Sequence, residues 1–157
     1  LTIWVDADSL PRDLRPILLR RAFSAARKGQ ALSVRFVASR KIPEIPADLL
    51  TIVTAGPDAA DSFIESSAIP GDLVVTRDLP FAERMADREI PVLNDRGDLF
   101  TTENVRARRS LRDRMAELRA LGLAPESPRA SSRGSRETKL FADALDRALS
   151  MPDRTAR

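Results

Sequence analysis

Aspartates recur where the chain leaves its apolar runs. Asp6 closes Ile3-Trp4-Val5, and Asp8 follows two residues later. Asp58 and Asp61 stand after the run that begins at Leu50, Asp78 after Leu73-Val74-Val75-Thr76, and Asp95 after Val92-Leu93. If those runs are parallel strands, all six acids lie on one edge of one sheet. Carboxylates gathered that closely repel one another, and some stay protonated unless a cation joins them. A divalent ion supplies the missing charge, activates water and stabilises the transition state of an in-line displacement at phosphorus. That chemistry needs no thiolate and no imidazole. The chain has neither, because cysteine and histidine are both absent. Any bound metal must then sit on oxygen ligands, which favours Mg²⁺ or Mn²⁺, with Ca²⁺ the other hard ion such a donor set accepts.

Each acid also has a reading that involves no chemistry. Asp58 can cap the helix that follows, with Asp61 near its third position, and Asp78 before Leu79-Pro80 and Asp8 before Ser9 and Pro11 can do the same. Asp95-Arg96-Gly97 reads as a turn with a local ion pair rather than a metal site. Asp6 is different, since a strand end requires no acid. Several acids sharing one edge, and no single one of them, point to a site.

The elements that would position them alternate. Apolar runs predict strands at 1–5, 32–37, 50–54, 73–76 and 90–93. Helical spacing predicts helices from about 14 to 25, with Pro16 delaying or kinking the start, then 58–67, 79–88, 104–121 and 136–149. Leu111, Met115 and Leu118 mark one apolar face, and Leu140, Phe141, Ala144, Leu145 and Ala148 mark another. Such alternation predicts a three-layer α/β sandwich around a mostly parallel five-stranded sheet, followed by C-terminal helices. In such sheets ligands bind beyond the carboxyl ends of the strands. The 157 residues suit a single domain over 1–150, with a Pro/Ser/Arg-rich loop at 122–135 and a frayed tail at 151–157.

The net charge of +3 is unevenly spread. Residues 1–99 carry 13 basic and 15 acidic side chains, whereas residues 100–157 carry 13 basic and 8 acidic. A basic second half suits either a solvated helix surface or contact with phosphates. For a nucleic-acid partner the first cations to consider are Arg77 and Arg96, beside the acids in sequence, then Arg12, Lys41, Arg136 and Lys139, with Arg108, Arg109, Arg112 and Arg133. Aromatic residues make up 4% of the chain, too few for a base-stacking platform. No stretch is apolar enough to span a bilayer, so no membrane partner is expected, and the missing cysteines agree with a cytoplasmic home. The chain begins at Leu1 inside an expected strand, so a short leader is expected to precede it.

Five blocks carry a family resemblance: IWVDADSLP (3–11), GPDAADSFI (56–64), GDLVVTRDLPFA (71–82), NDRGDLFTTENV (94–105) and FADALDRAL (141–149). In this order and spacing they resemble the bacterial YaiI/YqxD family, a branch of the PIN-like nuclease folds. The resemblance implies a PIN-like fold and a metal-dependent nuclease, RNA being a more natural substrate than DNA. It implies Asp6, Asp61 and Asp78 as the catalytic, metal-binding core, with Asp8 and Asp58 as further metal-site acids. Leu10 stands where the family usually carries cysteine, and Asp13 is a poor match for the early-helix acid of PIN nucleases.

Two other functions fit the same residues. A PIN-like module that has lost turnover would bind nucleic acid or protein without cutting. A haloacid-dehalogenase-type phosphatase would use Asp6 as nucleophile and Asp8 as acid/base. Ser39 would then serve as its second motif and Asp72 and Asp78 as its metal acids, although Ser9-Leu10-Pro11 departs from that motif and Lys41 comes early.

Overall fold

The computed structural model describes residues 1–54, 56–123 and 134–151. Six strands form one open sheet: β1 (Thr2–Asp6), β2 (Ser33–Ala38), β3 (Leu50–Ile52), β4 (Leu73–Val75), β5 (Val92–Leu93) and β6 (Leu99–Phe100). Their order across the sheet is β3-β2-β1-β4-β5-β6. The first five run parallel, while β6 returns antiparallel to β5. The sheet therefore has six strands rather than the five expected. A two-residue strand leaves too little alternation to be read from sequence. It forms because Asn94 closes the preceding turn, its Oδ1 accepting the N–H of Arg96 (2.9 Å) and of Asp98 (2.8 Å).

The helices are α1 (Arg15–Arg27), α2 (Ala59–Ser67), α3 (Leu79–Asp87), α4 (Thr102–Ala120) and α5 (Ser135–Ser150). Pro16 sits in the first turn of α1, where its missing N–H costs nothing, and a 3₁₀ turn at Arg12–Leu14 leads into it. The helix starts late instead of kinking.

Side chains alternate across the pleat and separate two cores. Ile3, Val5, Leu73 and Val75 face α1 and α5, meeting Leu14, Leu18, Phe141 and Leu145. Val74, Val37 and Val92 face the other way, onto Ile64 of α2, Phe81 and Met85 of α3 and Val105 of α4. Helices on both faces make the three-layer α/β arrangement that near-continuous apolar strands require.

Two helical faces differ from expectation. On α5, Phe141, Ala144, Leu145 and Ala148 are buried as read, but Leu140 is exposed. On α4 only Val105 is buried, and Leu111 is 57% exposed. That helix is held through charge instead. Buried Glu83 of α3 accepts Arg112 Nη1 (2.6 Å) and Arg109 Nε (3.1 Å), so the apolar stripe at Leu111, Met115 and Leu118 need not dock. Of the loop expected at 122–135, Ser135 already belongs to α5, and residues 124–133, Arg133 among them, lie outside the described residues, as do 152–157 of the tail. No described helix is long and apolar enough to cross a membrane.

Candidate acidic site

The strand order reverses between β1 and β4, the place where an open parallel sheet leaves a crevice beyond its carboxyl ends. Asp6 ends β1 there, paired in register with Val37 of β2. Thr76 and Asp78 follow β4 on its other side. Asp6 is only 3% exposed and its carboxylate is fixed at both oxygens. Oδ2 accepts the Thr76 hydroxyl at 2.8 Å, and Oδ1 accepts the Ser9 N–H at 3.3 Å. Thr76, fully buried, also accepts the Asp78 N–H at 3.0 Å and lies 3.2 Å from Ser9 Oγ. Ser9 Oγ in turn accepts the Arg77 N–H at 3.1 Å. One hydroxyl network thus ties the ends of β1 and β4 together.

The remaining acids arrive from other elements. Asp8 caps no helix; its Oδ2 accepts the Ser39 N–H at 2.6 Å, binding the loop after β1 to the end of β2. Asp78 does cap, with Oδ1 accepting the Phe81 N–H at 2.7 Å as α3 begins. Asp58 occupies the cap position of α2 without capping it, and its φ of 59° places it in the left-handed region. Aspartate tolerates that region better than most residues. Asp61, in the first turn of α2, is 9% exposed. Asp6, Asp8, Asp58, Asp61 and Asp78 all line one cleft of about 450 Å³, together with Ser9, Ser39 and Arg40.

The electrostatic strain concentrates on Asp61. Its carboxyl is pushed up from 3.8 to about 7, first by burial, then by the charges of Asp6 and Asp78. Arg84, 3.8 Å away at Nη2, offsets part of this, and Asp58 adds to it. A carboxyl raised to about 7 by burial and by neighbouring like charges marks a site short of positive charge. The donors are all oxygens, the kind a hard divalent ion takes. As the side chains stand, no group of three acids among the described residues converges closely enough to hold a metal ion.

Asp95 stays out of this cleft. It is buried at the end of β5 in the turn read from sequence, but the arginine near it is Arg77, with Nε 3.7 Å from its Oδ2, rather than one within the turn. Asp72 is a correction to the phosphatase reading. It lies at the amino end of β4, on the opposite edge, where it accepts Thr2 N–H (2.7 Å), Trp4 Nε1–H (3.0 Å) and Ile69 N–H (3.2 Å). Those bonds make it a structural clasp between β1 and β4.

Of the proposed cations, Arg77 sits between the cleft and a neighbouring groove that Arg96, Arg108 and Arg112 also line. Arg12 and Lys41 are exposed in the segments after β1 and β2. Arg136 and Lys139 are exposed at the start of α5 and line neither the cleft nor that groove. Sequence reasoning missed Thr76, Arg40 and Arg84. A threonine ending the otherwise apolar run Leu73-Val74-Val75 was a usable signal for the first. The two arginines carried none, because their proximity to the acids depends on how β2, α2 and α3 come together.

A family model described as an uncharacterized YaiI/YqxD family matches residues 4–151. A "UPF0178 protein" of Treponema pallidum is 45% identical over 159 residues, spanning 100% of this chain and 86% of the relative. Another from Treponema denticola is 39% identical over 150 residues, covering 95% and 92%. A third, from Xanthomonas oryzae pv. oryzae, is 40% identical over 152 residues, covering 97% and 91%. With the match running from β1 to the end of α5 and holding every acid of the cleft, the chain belongs to the YaiI/YqxD family.

Proposed function

We propose that this chain is a divalent-metal-dependent phosphodiesterase of the PIN-like nuclease type, acting on nucleic acid, RNA before DNA, in the cytoplasm. One observation carries the reading. Asp61 is buried beside Asp6 and Asp78 at the switch point of the sheet, and its carboxyl is lifted to about 7, first by that burial and then by the two neighbouring charges. Asp6, Asp61 and Asp78 would hold Mg²⁺ or Mn²⁺ once their carboxylates turned toward it, with Asp8 and Asp58 close by in the same cleft. When bound, such an ion makes water a stronger acid and offsets charge on the phosphate. The protein's own part is positional. Thr76 and Ser9 fix Asp6, the start of α3 fixes Asp78, and Arg40 at the cleft wall supplies a cation for a substrate phosphate.

The test is cleavage of a labelled single-stranded RNA with manganese. Wild type is expected to cut. Asp61→Asn and Asp6→Asn are expected to cut at least about 100-fold more slowly, the scale on which a catalytic group acts. Unchanged cutting by both variants overturns the assignment.

A second reading, a binding module without turnover, is favoured by the separation of the carboxylates, no three of which converge among the described residues. It expects no cutting at any metal concentration, with salt-sensitive RNA affinity surviving both substitutions.

A further inference from the structure

A groove of about 410 Å³ runs beside the acidic cleft, between the β5–β6 turn, the start of α3 and the outer face of α4. Its floor is apolar, built from Leu79, Leu111, Met115 and Phe100. Five arginines line it (Arg77, Arg96, Arg108, Arg112 and Arg119) against three acids, Glu83, Asp95 and Asp98. Each acid already has an arginine within ion-pairing distance: Arg112 on Glu83 at 2.6 Å, Arg108 on Asp98 at 3.6 Å and Arg77 on Asp95 at 3.7 Å. The lining therefore keeps two positive charges in excess. The Arg108 guanidinium also lies 4.8 Å from the centroid of the Phe100 ring, presenting a flat cationic surface.

Arg77 joins this groove to the cleft. Its backbone N–H belongs to the network that fixes Asp6, through Ser9 Oγ, while its side chain, 62% exposed, reaches Asp95 in the groove. A polyanion whose reacting phosphate lay against the acids would have its next phosphates beside Arg77 and then Arg96.

We infer that the groove between the β5–β6 turn and α4 is the track of a single-stranded nucleic acid, with arginines on its phosphates and the apolar floor under its unpaired bases. This rests on the nuclease reading for the function of the cleft, but the binding claim can be tested apart from it. The charge excess selects a polyanion, and the largely aliphatic floor offers apolar contact, rather than aromatic stacking, to base faces that a duplex would hide. The stripe on α4, whose Leu111 is 57% exposed among the described residues, thereby acquires an occupant.

The experiment measures anisotropy of a fluorescent single-stranded RNA of about 12 nucleotides, within the usual span of such sites. EDTA is present so that no cutting intervenes. Arg96→Ala with Arg119→Ala removes two groove cations. Arg106→Ala with Arg114→Ala removes the same charge from a separate surface of α4. The groove pair is expected to weaken binding at least about tenfold and to lower the slope of log affinity against log salt by about 1.4, at 0.7 per contact. The control pair is expected to change affinity less than about threefold, since it leaves the lining intact. Equal weakening by both pairs, no weakening by either, or equal competition by a duplex overturns the track. Groove-dependent binding by a wild type that never cuts RNA leaves the track standing and sinks only the hydrolase. Cutting by a wild type whose binding ignores the groove does the reverse.

Discussion

Neutralising Asp61 should stabilise the metal-free protein, and by an amount that grows with pH. The carboxyl titrates at 3.8 when unperturbed and at about 7 in the fold. Between those values the folded chain holds a proton that the unfolded chain has lost, so stability falls as pH rises through the window. Above about 7 both states are ionised and this group adds no further slope. Worked through the linkage relation, wild type loses about 2.5 kcal/mol between pH 5 and pH 8 from this carboxyl alone. Asp61→Asn keeps a side chain of similar shape and cannot ionise, so it escapes that loss. Urea unfolding of both proteins in EDTA at the two pH values measures the effect of Asp61 together with its coupled neighbours, since slopes from groups not coupled to it cancel in the comparison. The gap between variant and wild type should widen by about 2–3 kcal/mol, or about 5–10 °C in Tm for a domain of this size. Manganese should then close it by stabilising wild type selectively, by about 2.7 kcal/mol at one hundred times its Kd. Parallel wild-type and Asn profiles from pH 5 to pH 8 would refute the electrostatic account of the cleft.

Three further outcomes follow from the geometry. Thr76→Val removes the hydroxyl that serves Asp6 and Asp78; urea unfolding should show a loss of about 2–3 kcal/mol from the buried groups left unpaired. Gly97→Ala places a Cβ 3.1 Å from the Leu140 carbonyl oxygen at a φ of 87°. Strain and displacement of α5 should cost at least about 1 kcal/mol, seen as a lower Tm. Glu83→Gln withdraws the charge that holds Arg109 and Arg112. Because both guanidinium groups are over a third exposed, thermal unfolding should report only about 1–2 kcal/mol, and protease cleavage within α4 should accelerate.

Much of this architecture was written locally. Three or more apolar residues ending at Asp6 and near Asp78, separated by helices of 3.6-residue period, dictate a parallel sheet with acids at its carboxyl edge. Composition alone confined any metal to oxygen ligands, because no histidine or cysteine exists to offer another. Distance along the chain hid the rest. Thr76 meets Asp6 across 70 residues, and Arg84 meets Asp61 across two helices. The roles of the acids were equally undecidable locally, since capping and site duty need the same residue in the same place. Asp78 does cap α3, Asp58 does not cap α2, and Asp8 ties two strands instead. Packing likewise settled which apolar faces are covered: α5 buries its stripe, while buried charge docks α4 and leaves Leu111 in solvent. Periodicity records which side of a helix is apolar, but only the neighbours available in three dimensions decide whether that side is covered.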